Sequence, residues 1–324
     1  MVEKHSKADL IHMPFPSNQR YCKTYRLRKW VCALVAIFSF LVAPSPKAEM
    51  NLAAIPAEYG EVIYRYKEKS PNQLFIIGMS HRDFISGLNG QNTCRVQAEV
   101  YKLGEWLVRN RGLELLLPEG FFKKTGQMAK EKPKTGAKNS VCAEPLDIKV
   151  VERQLADNTT FINAEMLLLK NYHLRVLQVE DQKWYDTLSG FMRNLFSSGN
   201  ANENYFVRPE LDYLQERRTA VMLQKIPETI DAEYQQGGIK SKKALFTIGM
   251  SHLHKIIQYL DESKIRIYCP LVNLNKNEDY VADLNLLKED FGVVIILPRT
   301  LANDSKILEI NRLEKAVEKC RKKS

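Results

Sequence analysis

A chain of 324 residues with 44% hydrophobic and 27% charged residues is an ordinary globular composition, long enough for one large α/β domain or two small ones. The net charge of +10 invites a nucleic-acid reading, but eight Lys/Arg against Glu3 and Asp9 place +6 of it before residue 49, leaving +4 for everything else. No basic stripe with interleaved aromatics runs through that remainder, so nucleic acid is not an expected partner.

The N-terminus explains the imbalance. Arg26-Leu-Arg-Lys29 precedes an uncharged apolar run of 13 residues, Val31 to Ala43. A permanent membrane span needs roughly 20 apolar residues, so this run is short for one. A basic segment, an apolar core and then small or turn residues (Ala43, Ser45, Ala48) form the pattern of a secretory signal. Residues 1–48 are therefore expected to be a signal peptide or, as the alternative, an uncleaved inner-membrane anchor. Residues 49–324 are expected to form the α/β domain, exported to the periplasm or secreted.

From Leu74 onward short apolar runs alternate with longer helical patterns, the signature of βα units around a mainly parallel sheet with flanking helices. Expected strands are Leu74–Gly78, Leu113–Pro118, Leu174–Val179, Leu245–Gly249, Ile265–Tyr268 and Val293–Leu297. Expected helices are Gln91–Asn110, Ala164–Tyr172, Lys183–Phe196, Asn204–Gln235, His252–Asp261, Asp279–Asp290 and Ser305–Lys322. The Lys/Gly/Pro-rich stretch Lys123–Asn139 reads as a loop. Beyond the N-terminal segment the cysteines are Cys94, Cys142, Cys269 and Cys320, without Cys-x-x-Cys spacing. A zinc ribbon is thus unsupported, and a Cys94–Cys142 bridge and free thiols remain alternatives.

The most specific feature is a repeat. Leu74-Phe-Ile-Ile-Gly-Met-Ser-His81 and Leu245-Phe-Thr-Ile-Gly-Met-Ser-His252 agree at seven of eight positions. Such self-similarity points to a duplicated strand–Gly-x-x-His–helix unit. In each copy a buried strand ends at Gly, Ser can cap the next helix, and His falls at the carboxyl edge of the sheet, where open α/β folds gather ligands. Glu119, just past the second strand, and Glu180, past the third, share that edge. Arg217 and Arg218 lie inside a long helix, on the border of a stripe made by Leu214, Val221 and Met222, and Arg217 is taken as the site arginine. Each of these has a bland counterpart: a strand-end carboxylate as a turn former, and an arginine snorkelling at the surface.

Paired Gly-x-x-His motifs at the ends of the first and a later strand resemble the TraB/PrgY family, which includes GumN-like bacterial proteins and Tiki and is related to erythromycin esterases and ChaN. Glu119 and the Glu216-Arg217 pair match its strand-end Glu and helical Glu-Arg, and Glu180 resembles its Glu after the third strand. The resemblance covers roughly Glu58 to Pro298. It implies a duplicated α/β fold and, as in Tiki, metal-dependent peptide cleavage. Two departures stand out: Ser80 precedes the first His, and Arg218 follows the matched Arg.

Together these features lead to an expected cell-envelope metal-dependent hydrolase, peptidase-like or esterase-like, acting on a peptide or small molecule. His81, His252 and Glu119 would ligate a divalent ion (Mn, Co, Zn or Fe), leaving open positions for water. Glu180 would serve as general base and Arg217 would stabilise an oxyanion or hold a substrate carboxylate. The alternatives are a metal-free pair of histidines acting as base and acid, and a non-catalytic binding protein for haem, a metal ion or a signalling peptide.

Overall fold

The computed structural model describes residues 54–80, 92–122, 144–156, 163–197, 203–269 and 279–322. Its frame comes from apolar runs of strand length that must be covered on both faces. Strands β1 (Gly60–Tyr66), β2 (Asn72–Met79), β3 (Leu115–Pro118), β4 (Arg175–Val176), β5 (Lys243–Gly249) and β8 (Phe291–Pro298) form one sheet in the order β1-β8-β2-β5-β3-β4. All neighbours run parallel except β1, which is antiparallel to β8. Strand β8 is buried at every position, and β2 and β5 at every position but the first. That is the expectation for parallel strands roofed by helices on both sides. Each fully buried side chain such as Phe75, Ile76 or Phe246 contributes about 1.5–3 kcal/mol by leaving water.

The helices between the strands are α1 (Thr93–Arg111), α2 (Ile148–Ala156), α3 (Ala164–Tyr172), α4 (Gln182–Ser197), the long α5 (Glu203–Gln235) and α6 (Leu253–Glu262). A small antiparallel pair, β6 (Lys264–Ile267) and β7 (Tyr280–Asp283), follows α6. The chain closes with short helices α7 (Asn285–Lys288), α8 (Arg299–Ala302), α9 (Ser305–Ile310) and α10 (Glu314–Arg321). Local chemistry sets several ends. Asn163 and Asp304 cap α3 and α9 by accepting the Met166 and Ile307 amides, which would otherwise be orphaned at the helix start. The chain is thus an α/β protein with a mainly parallel central sheet.

Three expectations need correction. Asp279–Asp290 is not a helix: four residues pair with β6 as β7, and only Asn285–Lys288 are helical. Ser305–Lys322 breaks at Asn311–Leu313, where Arg312 adopts φ +57°, so two helices replace one. Ile265–Tyr268 joins the small second sheet and not the central one. Strand β1 was not anticipated at all. The loop Lys123–Asn139, the N-terminal basic and apolar segments, His81 and Cys142 lie outside the described residues. Cys94 is half-buried near the start of α1. Among the described residues no helix is long and apolar enough to cross a membrane.

Candidate functional site

Four strands that are neighbours in the sheet lead to the residues singled out by sequence. Strands β2 and β5, which carry the two octets, lie side by side and parallel, with Met79 opposite Gly249. On the other side of β5 comes β3, then β4. Parallel strands end at one edge, so His252 after β5, Glu119 after β3 and Glu180 beyond β4 are delivered together. The segment containing His81 continues from β2. Glycine has a packing reason in the first octet: a Cβ on Gly78 would stand 2.5 Å from Cδ1 of Leu253, the residue after His252.

The cluster is closed by two residues of α5. Arg218 donates from Nε and Nη2 to the two oxygens of Glu180, at 2.9 and 2.6 Å. The same Nη2 lies 2.8 Å from Oε1 of Glu119. Glu119 Oε2 accepts the Gly249 amide at 2.6 Å, and its own amide donates to the Thr247 carbonyl. Nε2 of His252 stands 3.4 Å from Glu119 Oε1. On the far side of the ring, Nδ1 is 2.5 Å from Oγ1 of Thr219. Glu180 is 1% exposed, Thr219 1% and His252 3%, so these bonds are shielded from water. Burial alone would push the Arg218 guanidinium down, but its bonds and proximity to the two carboxylates more than offset that and hold it above its ordinary value. Below it, the Tyr185 ring lies 5.4 Å from Cζ and is itself met edge-on by Phe122.

Thr219 Oγ1 lies 2.8 Å from the Gln215 carbonyl and 2.5 Å from Nδ1 of His252. In the tautomer in which its one proton goes to the carbonyl, Oγ1 accepts from the ring and Nδ1 carries hydrogen. Nε2, the nitrogen facing Glu119, is the one left to bind a proton or a cation.

Arg217 is elsewhere, which corrects its assignment as the site arginine. Its guanidinium lies 4.0 Å from the Tyr280 ring centroid and 5.1 Å from that of Trp184, and among the described residues its buried Nε and Nη1 have no hydrogen-bond partner. The reason is helical phase. Met222 is fully buried whereas Val221 is only half-buried, so the inward face of α5 runs through Leu214, Arg218 and Met222. Neighbouring Glu216 pairs with Lys255 at 2.9 Å and accepts from Tyr259 at 3.5 Å. Glu180, expected as a general base, has both oxygens committed to Arg218, an arrangement that positions the guanidinium. Thr219 was not anticipated; its signal was its place one residue after Arg218, still on the buried face.

A polar pocket of about 240 Å³ borders the cluster, with Thr219, His252, Gln215, Ser251 and Glu216 in its wall. Gln215 donates to Ser251 across it at 3.1 Å. Among the described residues no three His, Cys, Asp or Glu side chains converge as a metal cage. Of the expected trio, His252 and Glu119 are brought together and His81 lies outside the described residues. The two that are present suit an ion: their donor atoms are 3.4 Å apart, a spacing two ligands of one cation can share, and Thr219 provides the outer bond that ligating histidines characteristically make. No family model, curated protein or solved structure matches the chain.

Proposed function

We propose that this protein is a hydrolase of the cell envelope, acting on a peptide or small acyl substrate, with His252 and Glu119 as its reacting pair. One observation carries the reading: a buried imidazole, held from behind by Thr219 at Nδ1, presents Nε2 to a carboxylate that is itself oriented by an arginine and a backbone amide. Buried polar groups held this closely suit chemistry better than stability, because an apolar cluster of the same volume would be at least as stable. The envelope location rests on the signal-like N-terminus, and the reaction class on the resemblance to the TraB/PrgY/GumN/Tiki family.

Within that reading each side chain has a definable task. Nε2 of His252 and Oε1 of Glu119 would hold a divalent ion, with His81 as the further ligand; such an ion supplies a water acidified towards neutrality. Thr219 keeps the ring in the tautomer that leaves Nε2 available. The Gly249 amide and Arg218 hold Glu119 with one oxygen towards His252. Glu180 holds Arg218, whose remaining attraction favours negative charge developing nearby. Without a bound ion, Nε2 is instead the atom that would accept a proton, with Glu119 stabilising the imidazolium that results.

The test is hydrolysis of peptide and ester probes by the purified full chain. Turnover abolished in His252→Ala and Glu119→Gln, with both variants folded, supports the reading. Turnover that persists in both variants, or no turnover of either probe class by wild-type protein loaded with Mn²⁺, Co²⁺, Zn²⁺ or Fe²⁺, would overturn it in favour of a binding role.

A further inference from the structure

A cavity of about 740 Å³ lies between α6, α10 and strand β1, and it does not include the Glu119–His252 cluster. Its size is that of sites that enclose a small organic ligand. Ile63, Ile257 and the aromatic residues Tyr64 and Tyr66 give it an apolar lining. Lys315, Ala316, Lys319 and Cys320 form one wall along the eight-residue helix α10, which is about 12 Å long at the helical rise.

Charge is sorted along this groove. His254 and Asp261 both line it from α6, seven residues and therefore about 10 Å apart. At the His254 end the ring is hydrogen-bonded to the backbone of Arg312, with Lys315 following on α10. At the other end Asp261 accepts the Tyr64 hydroxyl at 2.9 Å and Glu262 accepts from Gln258 at 2.8 Å. The cations differ in how they are matched. Arg65 is paired with Glu68, but among the described residues no carboxylate pairs with Arg312 or Lys315 at this end, or with Lys319 one turn further along α10; all three are exposed. An uncharged occupant would leave this end unmatched. An anionic head placed at the opposite end would meet Asp261 and Glu262.

We propose that the groove binds a free long-chain fatty acid, its carboxylate against Arg312 and Lys315 and its chain along Ile63, Ile257 and the tyrosine rings. The carboxylate supplies the missing counter-charge and the alkyl chain covers the apolar lining, so each part of the ligand answers a separate feature of the site. Its lining does not include His252 or Glu119, although His254 and Arg312 also border the polar pocket beside His252.

The test is calorimetric titration of the full chain with dodecanoate below its micelle concentration. Saturable one-to-one binding is expected. Arg312→Gln/Lys315→Gln should weaken it about tenfold or more, the scale of one charge-assisted contact. Ala316→Trp, which fills the groove, should abolish it. Dodecyl maltoside, with the same chain and no charge, should bind at least about tenfold more weakly than dodecanoate. Circular dichroism and thermal unfolding establish that each variant is folded, and the exposed charge pair carries the test alone should Ala316→Trp not fold. Absence of saturable binding overturns the proposal. So does binding that both variants leave unchanged, which would place the fatty acid elsewhere, or equal binding of the uncharged detergent.

Discussion

Thr219 Oγ1 stands 2.5 Å behind Nδ1 of His252 and 2.8 Å from the Gln215 carbonyl. That relation converts a nondescript helical threonine into the group that decides which ring nitrogen faces Glu119. Replacing it should therefore cost more than a methyl-sized change. Thr219→Val keeps the shape but leaves a buried N–H without an acceptor, and should lower stability by about 1–3 kcal/mol in urea unfolding. Thr219→Ser, which restores the acceptor, should recover most of that loss. Equal losses in both variants would show that the hydroxyl is not what holds the ring.

Two adjacent arginines should behave differently. Arg218 pairs with two buried carboxylates, and Arg218→Met removes the ion-pair partner of Glu180 and one partner of Glu119, so a loss of about 3–5 kcal/mol is expected. Arg218→Lys should not restore stability, since an ammonium cannot reproduce the two-pronged contact with Glu180. Arg217 is held by ring stacking and has two buried nitrogens without partners among the described residues, so Arg217→Met should change stability by no more than about 1 kcal/mol. Denaturant midpoints of the three variants decide the matter; a larger loss from Arg217 than from Arg218 would reverse the assignment.

Acid should weaken the fold partly through His254. Burial, followed by nearby Lys255 and Arg312, holds its imidazole below the ordinary histidine value. The unfolded chain then binds the proton more readily than the folded one, so stability is full above the unfolded value of about 6.5 and falls as pH drops below it. Unfolding midpoints between pH 7.5 and pH 5 should decline in the wild type and decline less in His254→Gln. Identical slopes would remove His254 from the account.

The strand-end glycine of the first octet should not tolerate a methyl group. Gly78→Ala puts Cβ 2.5 Å from Leu253 Cδ1 and 3.0 Å from Leu297 Cδ2, in a packed core where neighbours can yield little. A destabilisation of about 1–3 kcal/mol is expected in thermal or urea unfolding. Wild-type stability would mean that α6 can shift to make room.

What could be read in the sequence follows burial. Strands β2, β5 and β8 announce themselves because both their faces are covered and apolar runs fill most of their length, and the order of strand ends brought Glu119, Glu180 and His252 to one edge in advance. Strand β1 escaped because it is an antiparallel edge strand with Glu61 and Arg65 interrupting its apolar residues. Four-residue β7 is too short for alternation to register, and the helix after it lent the whole segment a helical look. The break at Arg312 carries no glycine or proline; an arginine in left-handed conformation is held there by tertiary context. Arg217 and Arg218 differ by 100° around one helix, and only the full burial of Met222 against the partial burial of Val221 tells which one points inward.

Elemental analysis of the full chain, purified without chelator from the cells that make it, tests the His252–Glu119 pair most directly. Retention of about one equivalent of a divalent transition metal by the wild type, and its loss in a folded His252→Ala variant, is the predicted result. Equal metal content in the two proteins would contradict a ligand role for Nε2 and with it the arrangement proposed here.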